Sequence, residues 1–260
     1  MDIKLLASDM DGTLLQNGAK RPTDEAFELI HKLKEQGIVF AAASGRQYHS
    51  LRKLFAPIEN DIAYVCENGC LAVYQDKVLY QANLTKKVAR DIVETVENNP
   101  RYIALTTGAK AAYLLRKEGR EELEDLLLNY FNYNMKWIDD FSDIPEKIIK
   151  VSVYCSEGVN QKDVDFLEEK FGDVASVATS GTVWLDIMPK DITKKIGLEK
   201  LASYLDIPIA DCMAVGDEYN DYEMLSTVGH PVAMDNARTG IREICPQQTD
   251  TVENLMRTLL

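Results

Sequence analysis

The chain has 260 residues, of which 46% are hydrophobic and 27% are charged, and its formal net charge at pH 7 is −13. Nucleic acids and anionic membranes bind basic surfaces, so this charge argues against both as partners. It does not exclude a small anionic ligand, which responds to the local charge of its binding site. No apolar stretch has the length of a membrane span or the pattern of a signal peptide, and we therefore expect a cytoplasmic protein.

The five cysteines lie mostly in apolar segments, which favours reduced thiols packed as small hydrophobic side chains. Their spacing fits neither a CxxC pair nor a zinc site. The length of the chain favours one main domain with an insert. A monomer or a small homo-oligomer is the default expectation for the assembly.

Short apolar runs alternate with amphipathic segments near both ends of the chain. Thr23 is predicted to cap a helix whose apolar residues recur at helical spacing until Gly37. The runs too short for helices are predicted as strands, at residues 3–8, 38–43, 62–66 and 212–215, with 231–234 as a candidate fifth. This alternation predicts an α/β fold with a doubly wound, Rossmann-like parallel sheet that helices cover on both faces.

The middle of the chain shows a different pattern. An acidic helical stretch occupies residues 118–130, and strand-like runs occupy residues 147–154 and 178–187. We expect residues 84–188 to form an inserted α+β domain. Residues 1–83 and 189–260 would then form the core.

Polar residues follow the strands of the predicted core. Ligands of such sheets bind outside the carboxyl ends of the strands, so these residues should converge on one edge. Asp9 and Asp11 follow the first strand, and in extended chain two such side chains face the same site. A surface turn with two solvated acids is the alternative, because Asp-Gly is a common turn sequence.

The sequence Ser44-Gly45-Arg46 follows the second strand. A hydroxyl group and a glycine just before a helix start suit a bound anion such as phosphate. Helix capping by Ser44 alone is the alternative. Arg46 either holds the substrate or pairs with an acid.

Lys194 and Lys195 follow Thr193, which is predicted to cap a helix with one apolar face. A lysine in the first turn opposes the helix dipole, and this suggests that it contacts a bound anion. A solvated lysine cluster is the alternative. Lys194 is the preferred contact, although spacing alone does not separate it from Lys195.

Asp217, Asn220 and Asp221 follow the strand at residues 212–215. A third carboxylate beside Asp9 and Asp11 requires a cation, and hard oxygen ligands suit Mg²⁺ better than zinc. Asn220 is a candidate hydrogen-bond donor to the substrate or to Asp9. Asp221 is a candidate to orient Lys194.

The segments DMDGT, SGR, a lysine that leads a helix, and GDEYND occur in this order and resemble the four motifs of the haloacid dehalogenase (HAD) superfamily of phosphatases. The chain is most similar to the Cof-type (IIB) subgroup, whose α/β cap is inserted between the second and third motifs. The resemblance covers the whole chain. It implies a Mg²⁺-dependent phosphoric monoester hydrolase that acts on a small phosphorylated metabolite.

The resemblance also implies roles for the matching residues. Asp9 would be the nucleophile that forms an aspartyl-phosphate, and Asp11 would be the general acid and base. Mg²⁺ would be held by Asp9, by Asp11 through its backbone carbonyl, and by Asp217. Asn68 and Asp221 would support the site from a second layer. The expected set of phosphate-binding residues is Met10, Ser44, Gly45, Arg46, Lys194 and Asn220.

The type of reaction and the substrate have alternatives. A phosphomutase or phosphotransferase of the same superfamily would use the same pair of aspartates, and a non-hydrolytic regulatory module phosphorylated on Asp9 is an alternative from another class. Sugar phosphates are the expected substrates, with pyridoxal phosphate and flavin mononucleotide as alternatives. Trp184, Asp186 and Met188 are candidates to face the leaving group, although Trp184 fits a packed strand position equally well.

Overall fold

The computed structural model describes residues 3–180 and 182–260, and the chain divides into two compact units. The first unit comprises Met1–Tyr80 and Thr193–Leu260, and the second comprises Gln81–Ile192. The domain boundaries expected at 83/84 and 188/189 stay a prediction. Within the described ranges, every helix is too short or too polar to cross a bilayer.

Helices and strands are numbered here in chain order. The first unit begins with β1 (Leu5–Ser8), α1 (Asp24–Glu35), β2 (Val39–Ala43), α2 (Tyr48–Leu54), β3 (Ala63–Cys66), β4 (Leu71–Tyr74) and β5 (Lys77–Gln81), at whose end the units divide. The second unit contains α3 (Lys86–Glu97), β6 (Ile103–Gly108), β7 (Ala112–Leu115), α4 (Glu121–Asp125), β8 (Met135–Ile138), β9 (Ile148–Tyr154), α5 (Gln161–Phe171), β10 (Ala175–Thr179) and β11 (Trp184–Pro189). The first unit is completed by α6 (Lys194–Tyr204), β12 (Cys212–Gly216), α7 (Tyr222–Thr227), β13 (His230–Met234), α8 (Thr239–Ile244), β14 (Gln247–Thr249) and α9 (Val252–Arg257).

The first unit is built on an eight-stranded sheet with the order β14-β13-β12-β1-β2-β3-β4-β5. The strands from β14 to β3 are parallel, and β4 runs antiparallel to β3. The residues of β1, β3 and β12 are all buried, as expected for strands that are covered on both faces. The predicted doubly wound α/β sheet is confirmed, and the five strands predicted for it are β1, β2, β3, β12 and β13.

Strand β1 lies at the point where the strand order reverses. The chain adds β2 and β3 on one side of β1, and it later adds β12, β13 and β14 on the other side. The loops that follow β1, β2 and β12 therefore leave the same edge of the sheet from three adjacent strands. In α/β sheets this reversal opens a crevice in which ligands bind.

The helix predicted after Thr23 is α1. The Thr23 hydroxyl accepts a hydrogen bond from the Ala26 amide at 3.0 Å, which caps the helix start as predicted. The chain ends the helix before Gly37, whose φ is +80°. The buried face consists of Ala26, Phe27, Leu29, Ile30 and Leu33. Thr193 occupies the N-cap position of α6, although its hydroxyl caps no amide of the described residues.

The second unit has an α+β arrangement around a six-stranded sheet with the order β10-β11-β9-β6-β7-β8. The strand pairs are antiparallel except for β7 and β8, which are parallel. Helix α3 contacts β6 and β9, and α5 contacts β10. Ile92, Leu167 and Phe171 from these helices pack with Val151 and Val153 of β9 in the apolar core of the unit.

Two of the elements predicted for the insert differ in the structure. The helical stretch expected at residues 118–130 begins only at Glu121, after a turn at Gly119, and continues beyond α4 as a π-helix over Leu126–Tyr130. The run expected at residues 178–187 is two antiparallel strands, β10 and β11. The Ser180 amide donates to the Trp184 carbonyl where β10 gives way to β11, and residue 181 within the predicted run lies outside the described residues.

Gly69 allows the connection between β3 and β4 to lie against the start of α6. Its φ is +94°, and a Cβ atom at this position would lie 2.0 Å from the carbonyl oxygen of Thr193. A side chain would therefore meet both an unfavourable backbone angle and a rigid backbone atom. The close approach holds the loop that carries Asn68 next to the residue that precedes Lys194.

We predict that Gly69→Ala destabilises the first unit by about 1–3 kcal/mol more than Gly37→Ala, because forcing atoms into a packed site has a cost of that order. Gly37 also has a positive φ, but a Cβ there meets no described atom within 4 Å. Gly37→Ala should therefore cost only the backbone term, about 1–2 kcal/mol. Urea unfolding followed by far-UV circular dichroism measures both changes, and equal losses would contradict this account of Gly69.

Candidate active site

Three buried carboxylates converge at the edge of the first unit's sheet. Asp9 follows β1, Asp217 follows β12, and Asp221 lies in the short 3₁₀ turn just after Asp217. One carboxylate oxygen from each lies within 4.8 Å of the others. The exposed fractions are 6% for Asp9, 7% for Asp217 and 0% for Asp221, so little solvent screens their mutual repulsion.

The ammonium group of Lys194, at the first position of α6, lies between two of these acids. Its Nζ atom donates to Asp9 Oδ1 and to Asp221 Oδ1, both at 2.6 Å, and the side chain is fully buried. Lys195 is partly exposed and lies 3.8 Å from Glu199 on the same helix. The structure thus brings Lys194, and not Lys195, to the carboxylates.

Burial and mutual repulsion act on the pKa values of the acids in this cluster. Burial raises the pKa of Asp9 to about 8; the Asp221 charge adds to the rise, and Lys194 opposes it. Burial also raises the pKa of Asp217, with further contributions from Asp221 and Glu218 against a hydrogen bond from Thr13. Burial alone would lower the pKa of Lys194, but the two acids beside it outweigh burial and raise it. One ammonium therefore does not balance the three acids.

Asp221 acts as a brace for the loop after β12. Its Oδ2 atom accepts hydrogen bonds from the backbone amides of Asp217 at 3.1 Å and Glu218 at 3.2 Å, and its Oδ1 atom accepts from Lys194. Both oxygens thus have donors from the protein. The placement next to Lys194 is the one expected from the sequence.

Asp217 is held by Thr13 and Asn236, two residues with no expected role in the site. Thr13 Oγ1 donates to Asp217 Oδ1 at 2.9 Å, and Asn236 Nδ2 lies 3.3 Å from Asp217 Oδ2 and 3.0 Å from the Gly12 carbonyl oxygen. Asn236 follows β13, so the rule that polar residues after strands line the site would have found it. Gly12 has a φ of +90°, and a Cβ atom there would lie 2.3 Å from Asp217 Oδ2.

The side chain of Asp11 does not join the three buried carboxylates. It is exposed and accepts two hydrogen bonds from Arg46, from Nε to Oδ2 at 2.8 Å and from Nη2 to Oδ1 at 2.5 Å. The Asp11 carboxylate thus lies outside the buried cluster, and the expectation that it faces the same site as Asp9 stays a prediction. The chain does not continue as extended strand here, because the Thr13 amide donates to the Met10 carbonyl and closes a turn.

The loops after β2 and β3 are joined by backbone hydrogen bonds. The Asn68 amide donates to the Ser44 carbonyl at 3.1 Å, and the buried Ser44 hydroxyl accepts from the Arg46 amide at 3.2 Å. Asn220 Nδ2 lies 3.3 Å from Asn68 Oδ1, so in this structure it contacts Asn68 instead of Asp9. A Cβ atom on Gly45 would lie 3.0 Å from Asn68 Oδ1, so the absence of a side chain there lets the two loops lie this close.

Met10 separates the two aspartates of the first motif. Its side chain is fully buried, and its carbonyl oxygen accepts from the amides of Thr13 and Leu15. Only its backbone amide thus remains as a candidate phosphate contact. The predicted roles of Met10 and of the other residues assigned to substrate and metal stay predictions.

The three candidates for leaving-group contacts lie on β11 of the second unit. The rings of Trp184 and Tyr154 are 4.9 Å apart. Asp186 is buried and accepts hydrogen bonds from Lys150 Nζ at 3.0 Å and Ser152 Oγ at 2.5 Å. Met188 is also buried. These contacts lie within the second unit, and contact with a leaving group stays a prediction.

We predict that Lys194→Met destabilises the protein by about 3–5 kcal/mol, because it leaves buried carboxylates without their cation. Lys195→Met is the matched control and should change stability by less than about 0.5 kcal/mol, since that side chain is half exposed. Far-UV circular dichroism during urea unfolding is the appropriate probe, because both tryptophans lie in the second unit. A larger loss for Lys195→Met than for Lys194→Met would reverse the assignment.

Comparison with known proteins gives consistent matches over nearly the whole chain. The family model of haloacid dehalogenase-like hydrolases matches residues 6–255. A 5-amino-6-(5-phospho-D-ribitylamino)uracil phosphatase of Escherichia coli (strain K12), YbjI, is 29% identical over 241 residues, which are 93% of this chain and 88% of that protein. An HMP-PP phosphatase of Yersinia pestis (strain Pestoides F) is 29% identical over 253 residues, which are 94% and 88% of the two chains.

Solved structures show the same architecture. A protein from Eubacterium rectale aligns with a TM-score of 0.89 at 25% identity and covers 100% of both chains. The HAD subclass IIB sugar phosphatase BT4131 aligns with a TM-score of 0.81 at 17% identity over 98% of both chains, a likeness of fold. The superfamily inferred from the four motifs is confirmed: the chain belongs to the haloacid dehalogenase-like hydrolase family.

Proposed function

We propose that this chain is a Mg²⁺-dependent phosphatase that hydrolyses a small phosphorylated metabolite through an aspartyl-phosphate on Asp9. The observation that carries the proposal is the buried contact of Lys194 with Asp9 and Asp221, with Asp217 close by. The named relatives from Escherichia coli and Yersinia pestis are both phosphatases, which supports the reaction class.

The donor set fits a hard divalent cation. Three carboxylates and one ammonium leave two negative charges unbalanced, and oxygen ligands are those that Mg²⁺ prefers. Asp221 already accepts from Lys194 and from two amides, so Asp9 and Asp217 are the carboxylates with capacity for the ion. We assign the third protein ligand to the backbone carbonyl of Asp11. When bound, Mg²⁺ would reduce the repulsion between the Asp9 carboxylate and the phosphate.

In the proposed reaction, Asp9, Asp11 and Lys194 have separate roles. An Asp9 carboxylate oxygen attacks phosphorus, and the bond between phosphorus and the leaving oxygen breaks. Asp11 gives its proton to that oxygen, so that the product leaves as an alcohol. Lys194 stabilises the negative charge that spreads over the phosphoryl oxygens. Water then attacks the phosphorus of the aspartyl-phosphate, Asp11 takes the proton of that water, and inorganic phosphate and free Asp9 are released.

The phosphoryl group has donors on the loops after β1, β2 and β12. We assign its contacts to the Met10 amide, the Ser44 hydroxyl, the Gly45 amide and the Asn220 amide group, in addition to Lys194. The hydrogen bonds between Ser44, Asn68 and Asn220 hold these loops in place before a substrate binds. Such preorganisation lowers the reorganisation needed when charge develops.

We predict that Asp9→Asn lowers phosphate release from 4-nitrophenyl phosphate by more than about 10³-fold, since an amide is a poor nucleophile. Asp24→Asn makes the same change at an exposed position on α1 and should retain wild-type activity. Mass spectrometry of Asp11→Asn should show a phosphoryl group on Asp9, because loss of the base slows hydrolysis of the intermediate. Wild-type turnover in folded Asp9→Asn would exclude Asp9 as the nucleophile.

We predict that EDTA abolishes the activity and that added Mg²⁺ restores it. Mg²⁺ at 100 times its dissociation constant should also stabilise the wild-type protein by about 2.7 kcal/mol. Asp217→Asn should lose most of this stabilisation, whereas Asp24→Asn should keep it. Full activity in chelator-treated protein, or equal Mg²⁺ stabilisation of Asp217→Asn, would contradict the metal assignment.

A further inference from the structure

The carboxylate of Asp11 forms a bidentate ion pair with the guanidinium group of Arg46. Two parallel N–H···O contacts, at 2.8 Å and 2.5 Å, join the two side chains. A bidentate pair of this kind fixes the plane and direction of a carboxylate as well as its position. The side chain of Asp11 is 58% exposed and that of Arg46 is 29% exposed, so the ion pair adds little to the stability of the fold. The main effect of the pair is therefore to orient the Asp11 carboxylate, not to stabilise the fold.

The backbones on both sides of this pair are held in place. The turn after Asp11 is closed by hydrogen bonds from the Gly12 amide to the Leu15 carbonyl at 3.1 Å and from the Leu15 amide to the Met10 carbonyl at 2.7 Å. The Arg46 amide donates to Ser44 Oγ, and the Arg46 carbonyl accepts from the Glu67 amide at 3.2 Å. With both backbones fixed, the guanidinium group sets the orientation of the Asp11 carboxylate.

We infer that Arg46 is the positioning residue for Asp11 in acid catalysis, an inference that rests on the proposed phosphatase function. While paired with Arg46, the Asp11 carboxylate lies outside the cluster of Asp9, Asp217 and Asp221. It also holds that carboxylate in one orientation for proton transfer. The sequence left two roles open for Arg46, contact with the substrate and pairing with an acid, and this role is the second of them.

The two contacts between Arg46 and Asp11 fit the state of Asp11 after it has given up its proton. When Asp11 carries a proton, the oxygen that bears it acts as a hydrogen-bond donor. Only the other oxygen is then fully available to accept a hydrogen bond from Arg46. After the proton moves to the leaving oxygen, both oxygens of Asp11 accept from Arg46, as they do in this structure. The two contacts with Arg46 therefore fix the plane and direction of the Asp11 carboxylate at the end of the proton transfer.

The test uses leaving groups that differ in their need for an acid. Benzyl phosphate releases a strongly basic alkoxide that requires protonation, whereas 4-nitrophenyl phosphate releases a weakly basic phenolate. In Arg46→Ala we expect kcat/KM for benzyl phosphate to fall by about 10²-fold, the lower end of what general acid catalysis contributes. The kcat/KM for 4-nitrophenyl phosphate should fall by less than about tenfold.

Two further variants sharpen the comparison. Arg21→Ala removes an exposed arginine from its contact with Asp24 and should leave both rates unchanged. Methylguanidinium added to Arg46→Ala should restore part of the benzyl phosphate activity. It should restore none in the double variant that also carries Asp11→Ala, because the group to be positioned is then missing.

The other outcomes overturn the inference. Equal losses for the two esters with a raised KM would show that Arg46 contacts the phosphoryl group. Unchanged rates for both would reduce the pair to a surface ion pair. A wild-type protein that releases phosphate from neither ester, nor from any phosphorylated metabolite, would overturn the phosphatase proposal together with this inference, whereas the first two outcomes leave that proposal intact.

Discussion

The ammonium group of Lys194 lies buried between Asp9 and Asp221, and the rest of the site is arranged around this contact. A buried ammonium without acid partners is strongly unfavourable, and so are adjacent buried carboxylates without a cation. The three side chains come from the end of β1, the start of α6 and the turn after β12. Because a shift of any of these elements would leave a charge unpaired, the electrostatics of the site and the packing of the sheet constrain one another.

Unusual backbone conformations allow the loops to reach this arrangement. Glu67 and Asn68 have φ values of 51° and 53°, and Gly69 follows at 94°. Positive φ at residues other than glycine costs about 1–3 kcal/mol each and persists where the surroundings demand it. Here the surroundings that favour these conformations are the hydrogen bond from the Asn68 amide to the Ser44 carbonyl and the contact of Gly69 with Thr193. The strain thus lies at the loops that border the candidate phosphate site.

Much of the site could be predicted because its residues follow a rule of sheet topology. Short apolar runs in the sequence indicated β1, β2 and β12. Because these strands are adjacent and parallel, the polar residues that follow them, such as Ser44 and Asp217, lie at one edge of the sheet. Two features were predicted less completely. The sequence offered Arg46 either to the substrate or to an acid, but nothing in it identified Asp11 as that acid. The strand-like run at residues 178–187 merged β10 and β11, although the polar and small residues Thr179, Ser180 and Gly181 interrupt its apolar pattern.

The aspartates of the site differ through their partners, although their side chains are chemically identical. Asp9 is buried, which favours its protonated form, and the Lys194 ammonium beside it opposes that effect. Asp221 is saturated by donors and serves as a brace. Asp217 accepts a hydrogen bond from Thr13 and is one of the two carboxylates proposed to hold the cation. Asp11 lies two residues from Asp9, yet its side chain is exposed and paired with a guanidinium group. These different surroundings match the different roles proposed for the two aspartates, nucleophile for Asp9 and proton carrier for Asp11.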